Sequence, residues 1–125
     1  MRPLATEGEM RLVRDFLIIP VLLDYLDNDI KTAQTAGFKL DLLLIRGLKK
    51  VQDEIVKEHY VIKRTLRECG IRVQTERRTR YGIEAEYLCR GYKHQTSLLW
   101  DTIRTAVLTK ASEYANIKLT SGDGG

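Results

Sequence analysis

The sequence holds little proline, little cysteine and no long apolar run. Two prolines in 125 residues exclude a collagen-like or proline-rich chain. Cys69 and Cys89 are expected to stay reduced thiols in a cytosol and to pack as small hydrophobes. The longest uncharged apolar run, 16–23, has eight residues, whereas a membrane-spanning helix needs roughly 20. Acidic residues interrupt both flanks of that run, so no signal peptide is predicted and a cytoplasmic location is the expectation.

The signatures of catalysis and of metal binding are also missing. The six glycines before the C-terminal tail are isolated, so no glycine-rich phosphate loop is present. Four side chains could ligate zinc but lack the close paired spacing of structural sites: His59, Cys69, Cys89 and His94. Cys89 and His94 have no third group to orient them as a nucleophile and base. We therefore predict no enzyme activity, no catalytic residue, no metal and no cofactor.

Helical periodicity accounts for the first half of the chain, and the length suits one domain. From about Met10 to about Ala36, apolar residues recur at alternating steps of four and three: Leu12, Phe16, Ile19, Leu23, Leu26 and Ile30. Pro20 lies inside this pattern and should kink or split the helix. Gly37 is the predicted stop. Residues 1–9 and 120–125 are predicted to be flexible termini.

A second, longer helix is predicted from about Phe38 to Cys69, ending at Gly70. Its apolar stripe is polar at one step, where Glu58 or His59 falls. Such a length is unusual in a small domain, so we expect a break, for example at Gly47, or cover by a second chain.

The period then changes to two, which predicts a β-hairpin. Apolar residues alternate with polar ones over 71–76 and again over 83–90. A three-residue loop, 80–82, keeps both apolar sets on one face and places Gly82 in a left-handed conformation. That register sets Thr75 opposite Tyr87, Val73 opposite Cys89 and Arg78 opposite Glu84.

A last helix is predicted to start near Thr96 or Ser97, which can cap it, and to end near Ile117. The predicted fold is therefore α+β and mostly helical: two N-terminal helices, the second one long, then a β-hairpin and a C-terminal helix. An isolated hairpin is unstable, so its apolar face must pack on the helices. We expect an aromatic core near Trp100, Tyr87 and Tyr114.

The net charge of +4 is unevenly distributed. Residues 63–94 hold nine Lys/Arg and four Glu, giving +5, whereas 1–62 give −1 and 95–125 give 0. Arginine forks match phosphate oxygens, and a tyrosine face can stack on an unpaired base. The sequence thus predicts a small regulatory protein that binds DNA or RNA through a basic hairpin. The predicted contacts are Arg77, Arg78, Arg80 and Tyr81 at the tip, flanked by Arg67, Arg72, Arg90 and Lys93.

Two alternatives remain open at this stage. The basic turn could be a solvated loop that keeps an edge strand from pairing with other chains. The chain could also be a helical protein-interaction module with no nucleic-acid role, because its first helix is apolar on nearly all sides. In either case we expect a homo-oligomer, a dimer formed through the first two helices, and no membrane partner.

Overall fold

The fold is α+β, with three helices and one antiparallel sheet, as the sequence predicts. The structure, a computed structural model, describes residues 5–122, with side chains described for 5–114. The elements are α1 (Glu7–Ala36), α2 (Asp41–Glu68), β1 (Ile71–Arg78), β2 (Gly82–Cys89), β3 (Tyr92–Leu99) and α3 (Trp100–Gly122). Residues 1–4 and 123–125 of the termini predicted to be flexible lie outside the described part. No helix within it is long and apolar enough to cross a membrane.

Helix α1 begins at Glu7, three residues before the predicted start, because Thr6 and Glu9 form a capping box. The Thr6 side chain accepts a hydrogen bond from the Glu9 N–H, and the Glu9 carboxylate accepts one from the Thr6 N–H. The helix is continuous through Pro20, so the proline does not split it. It ends at Gly37, whose φ of 71° is the left-handed stop predicted from the sequence.

Helix α2 is one unbroken rod of 28 residues, about 42 Å long. The expected break at Gly47 is absent, and the helix ends before Gly70 as predicted. Only three of its residues are fully buried: Ile55, Ile62 and Leu66. Most of its surface therefore faces away from the rest of the chain.

The sheet has the order β1-β2-β3, so β1 and β3 are its edges. Residues 71–73 pair with 87–89, but the register shifts at Gln74, and Thr75 pairs with Glu86. The predicted register is therefore wrong. Because this β-bulge adds one residue, every later side chain of β1 lies on the opposite face of the sheet from the one predicted. Arg77, not Arg78, lies opposite Glu84, and Arg78 lies opposite Ile83 on the helix side.

The loop of the hairpin also differs from the prediction. It spans 79–81, and Gly82 is the first residue of β2. Gly82 does not have a positive φ. A glycine is needed because a Cβ there would lie 1.8 Å from the Leu98 carbonyl oxygen. Close approach of two strands, rather than a left-handed turn, selects glycine here.

Strand β3 was not predicted from the sequence. Its residues pair along the whole length of β2, from Cys89 with Tyr92 to Gly82 with Leu99. Thr96 and Ser97 belong to this strand, so α3 begins at Trp100 instead, and it extends beyond Ile117 to Gly122. The β2–β3 turn has only two residues, Arg90 and Gly91, with φ values of 50° and 90°, as a type I′ turn requires.

The core lies between the inner face of the sheet and the three helices, and its centre is aliphatic. Its largest fully buried side chains include Leu17, Ile19, Ile55 and Ile103. Of the aromatic residues expected there, Tyr87 is buried, whereas Trp100 and Tyr114 pack at the margin.

The polar step in the apolar stripe of α2 joins that helix to both of its helical neighbours. Glu58 accepts hydrogen bonds from the Tyr114 hydroxyl at 2.7 Å and from Lys110 at 3.1 Å, both on α3. His59 stacks on Phe16 of α1, with ring centroids 5.0 Å apart.

Candidate nucleic-acid interface

Two arginines at the end of the hairpin are neutralised by carboxylates of the same chain. Arg77 pairs with Glu84 across the β1–β2 ladder at 2.5 Å. Arg78, turned toward the helices by the bulge, pairs with Asp24 of α1 at 2.9 Å. Both side chains remain at least half exposed. The positive potential of the tip is therefore smaller than a count of its arginines predicts.

Arg80 and Tyr81 are the exposed pair at the tip. The Arg80 guanidinium carbon lies 5.7 Å from the centroid of the Tyr81 ring, within the range of a cation–π contact. Within residues 5–114, Arg80 forms no ion pair. Tyr81 is 71% exposed. The Arg80 guanidinium and the Tyr81 ring are thus in contact with each other and exposed to solvent.

Arg90 lies in the β2–β3 turn, away from the tip, and forms a partly buried ion pair. Its two terminal nitrogens donate to the two carboxylate oxygens of Glu9 at 2.9 and 3.0 Å. It also donates to the Cys69 carbonyl at 2.9 Å. The Arg90 hydrogen bonds, followed by that of the Thr6 N–H, lower the pKa of Glu9 to about 2. These hydrogen bonds hold elements of the fold together and use most of the N–H donors of Arg90, so few remain to bind a ligand.

A second basic region lies at the opposite end of β1. A groove of about 590 Å³ separates the end of α2 from this strand. Three cations line it: Lys63 and Arg67 from α2, and Arg72 from β1. The rest of the lining is Phe16, Leu66, Gly70, Ile71 and Val73. No carboxylate belongs to the lining, and none of the three cations forms an ion pair within the described side chains.

Local backbone structure explains how these cations converge. Lys63 and Arg67 are four residues apart on α2 and therefore share one helix face. Gly70, with its positive φ, turns the chain directly from that helix into β1, which brings Arg72 to the same groove. Burial first, and the positive charge of Lys63 second, lower the pKa of nearby His59. Positive charge is concentrated in the groove because its described lining holds three cations and no carboxylate.

Lys93 extends the groove's positive charge across the sheet. It pairs with Leu88, which pairs with Arg72, so the two cations lie on the same outer face two strands apart, about 10 Å from each other. Arg72 and Arg78 are six residues apart on β1, about 20 Å. The predicted contacts therefore form two groups: Arg67, Arg72 and Lys93 at the groove, and Arg77, Arg78, Arg80 and Tyr81 at the tip.

The sequence analysis missed Lys63 as a groove residue. Its signal was the four-residue spacing to Arg67 within the basic segment, which places two cations on one face of a helix. The middle of the outer sheet face, in contrast, has mixed charge. A shallow cavity of about 490 Å³ is lined there by Arg77 and by two carboxylates, Glu84 and Glu86.

The histidines and cysteines do not converge. In residues 5–122 no group of three or more His, Cys, Asp or Glu could hold a metal ion. His59 stacks on Phe16, and His94 stacks on Tyr87 with ring centroids 5.1 Å apart. Cys89 is fully buried, and its burial raises the pKa of the thiol. Such a thiol is poorly nucleophilic at neutral pH.

The fold and the groove define a small α+β protein with a three-stranded antiparallel sheet and a basic cleft between α2 and the edge strand β1. A family model described as YhjD protein matches residues 4–119, nearly the whole chain. The chain therefore belongs to the YhjD family. No curated protein sequence and no solved structure matches it.

Proposed function

We propose that this YhjD-family protein is a non-enzymatic factor that binds nucleic acid, with the groove between α2 and β1 as its main phosphate contact. One observation carries the proposal: Lys63, Arg67 and Arg72 line a single cleft that has no carboxylate in its lining. Phosphates attract such a cluster through charge, and arginine adds bidentate hydrogen bonds. A regulatory role in the cytoplasm completes the proposal, and it agrees with Cys69 and Cys89 being free thiols.

We favour the groove over Arg77 and Arg78 as the main phosphate contact because these two arginines already have carboxylate partners. Each of these two already faces a carboxylate, so a phosphate would have to compete with an existing ion pair. Among the side chains of residues 5–114, no carboxylate pairs with the groove cations. Lys93, on the same face as Arg72, adds a flanking contact, and Arg80 adds one at the tip.

The test is fluorescence anisotropy with labelled DNA and RNA at about 50 and 200 mM salt. Replacing Lys63, Arg67 and Arg72 together with glutamine removes three phosphate contacts. The slope of log affinity against log salt for duplex DNA should then become shallower by about 2.7. Raising the salt from 50 to 200 mM should therefore cost the variant roughly 40-fold less affinity than it costs the wild type.

A matched control removes the same charge from the same helix away from the groove. Arg46, Lys49 and Lys50 are exposed on α2 and lie outside the groove lining. Their triple glutamine variant should keep most of the binding and most of the salt slope. Equal losses in the two triple variants would refute the groove and leave only net charge as the cause. Absence of binding at low salt would refute the function.

A second candidate function, homodimerisation through the helices, is favoured by a separate observation. The α1–α2 connection and the first turn of α2 expose four large apolar side chains: Phe38, Leu40, Leu42 and Leu43, each 57–70% exposed. Exposed apolar patches of a few hundred Å² commonly mark interaction sites. A second copy of the chain would cover this apolar patch.

Light scattering over a concentration series tests the dimer. We expect twice the monomer mass at micromolar concentration, and a monomer when Leu42 and Leu43 are both changed to glutamine. Since both side chains are largely exposed in the single chain, this change should not reduce the helix content measured by circular dichroism. A monomeric wild-type protein at about 100 µM would contradict the dimer.

A further inference from the structure

Tyr81 is exposed, but the backbone around it is held firmly. The Tyr81 N–H donates to the Thr79 hydroxyl at 3.1 Å, and the Tyr81 carbonyl accepts a hydrogen bond from the Trp100 N–H at 3.1 Å. The Trp100 indole N–H donates to the Thr79 carbonyl at 2.8 Å, and the Thr79 N–H donates to the Gly82 carbonyl at 2.7 Å. The turn is thus tied to the first residue of α3.

Packing restricts the same turn from its other end. Gly82 approaches Leu98 so closely that no side chain fits between β2 and β3 at this point. Fewer conformations are therefore available to the tip than to an ordinary solvent-exposed loop. A side chain presented from a rigid backbone loses less entropy when it binds a ligand.

The side chains that this rigid turn presents are Arg80 and Tyr81. Arg80 contacts the Tyr81 ring and has no carboxylate partner in the described structure, whereas Arg77 and Arg78 have one each. The tip therefore offers an exposed aromatic ring with the Arg80 guanidinium over it, and no described carboxylate pairs with that positive charge. The ligand chemistry that matches both is a planar group carrying a nearby anion.

We propose that the Arg80–Tyr81 pair is a stacking platform for an unpaired nucleobase, and that the protein consequently prefers single-stranded nucleic acid. This inference rests on the proposed function, since it names which form of nucleic acid the basic surface binds. Stacking on an aromatic side chain requires a base with a free face. In a duplex, both faces of every interior base are covered by neighbouring pairs, and only the phosphates remain accessible.

The groove and the tip then contribute different terms to the binding of one strand. They are about 20 Å apart along β1, so they contact different nucleotides. The groove cations bind phosphates and dominate the salt dependence. The tip stacks a base, which depends little on salt and is independent of sequence, because every base has an aromatic face.

The experiment compares three probes of equal length at one low salt concentration: an oligothymidine strand of ~20 nucleotides, an abasic strand with the same phosphates, and a duplex. The variants are Tyr81→Leu, which removes the aromatic face, and Tyr81→Phe, which keeps it. Because the side chain is exposed, neither change should disturb folding. Trp100 fluorescence checks this, since the indole is hydrogen-bonded to the turn.

We expect the wild type to bind oligothymidine more tightly than either the abasic strand or the duplex. Tyr81→Leu should weaken oligothymidine binding by about 5- to 150-fold, and it should leave abasic and duplex binding unchanged. Tyr81→Phe should bind like the wild type.

Each other result overturns a defined part of the reasoning. Equal wild-type binding of oligothymidine and the abasic strand, or an unaffected Tyr81→Leu variant, would refute the platform while leaving the groove function intact. Equal weakening of duplex binding by Tyr81→Leu would show that the tip positions phosphates. A Tyr81→Phe variant as weak as Tyr81→Leu would assign the effect to the hydroxyl group. Absence of binding to all three probes would refute the proposed function along with the platform.

Discussion

Replacing Gly82 by alanine should destabilise the protein, although it adds only one methyl group. That carbon would lie 1.8 Å from the Leu98 carbonyl oxygen and 3.0 Å from the Leu99 Cα. Non-bonded heavy atoms prefer separations of about 3.5–4.0 Å. Both neighbouring atoms belong to the backbone, so no side-chain rotation relieves the contact. The end of β3 must move away from β2.

The magnitude follows from two costs. Overpacking of this kind typically costs about 1–3 kcal/mol. Separating the strands at the Gly82–Leu99 pair also weakens ladder hydrogen bonds, at about 1 kcal/mol each. We therefore expect the free energy of unfolding to fall by about 2–4 kcal/mol and the melting temperature by on the order of 10 °C.

The assay is urea unfolding followed by Trp100 fluorescence, with circular dichroism as a second probe. Gly47→Ala is the control, because a Cβ at Gly47 meets no heavy atom within 4 Å. Gly47 lies in the interior of α2, where alanine is favoured over glycine by about 1 kcal/mol. The same substitution should thus have opposite signs at the two sites. A Gly82→Ala protein as stable as the wild type would refute the close approach of the strands.

Two further predictions concern pH. The hydrogen bonds from Arg90 hold the pKa of Glu9 near 2, below its usual 4.5. The stability that they contribute is therefore complete above pH 4.5 and is lost as the pH falls toward 2. Glu9→Gln should be less stable than the wild type at pH 7, and urea unfolding should show this difference shrink as the pH falls from 4.5 to 2. Burial, with Lys63 adding to it, lowers the pKa of His59 below 6.5, so folding favours the neutral imidazole and stability falls as the pH drops below 6.5. His59→Phe should remove that part of the loss of stability at low pH. If the free energy of unfolding of this variant varied between pH 7.5 and 5 as it does in the wild type, the assignment of this loss to His59 would be contradicted.

Local sequence signals predicted the first two helices and the central strand well. Helical periodicity identified α1 and α2, and the glycines at 37 and 70 stop them because a positive φ costs glycine little. Alternation in β2 is unambiguous, since Ile83, Ala85 and Tyr87 all face the core. In each case the determining interactions lie within a few residues along the chain.

The β1 register and the third strand depend on contacts between residues far apart in the chain. For that reason they were not predicted correctly from the sequence. The alternation of residues 71–76 continues unbroken through Gln74, so the bulge leaves no local trace. The bulge turns Arg78 to the helix side, where its partner Asp24 lies 54 positions earlier in the chain. The inward positions of β3 carry His94 and Thr96 beside Leu98, too polar a set to indicate a strand. The one usable signal was Gly91, directly after Arg90, in a two-residue turn.

The candidate site was predictable in composition but not in arrangement. The charge excess of residues 63–94 pointed to the right segment of the chain. It could not show that three tip and turn arginines, Arg77, Arg78 and Arg90, meet carboxylates, because those pairs depend on the tertiary fold.

The ion pair between Glu9 and Arg90 also orders events during synthesis of the chain. The two residues are 81 positions apart, and Arg90 links them to the end of α2 through the Cys69 carbonyl. The first turn of α1 cannot acquire this anchor until the β2–β3 turn has left the ribosome. Until then, the apolar face of α1 can pack only against α2. While the sheet is still being made, the apolar surface of α1 that later faces it is therefore exposed.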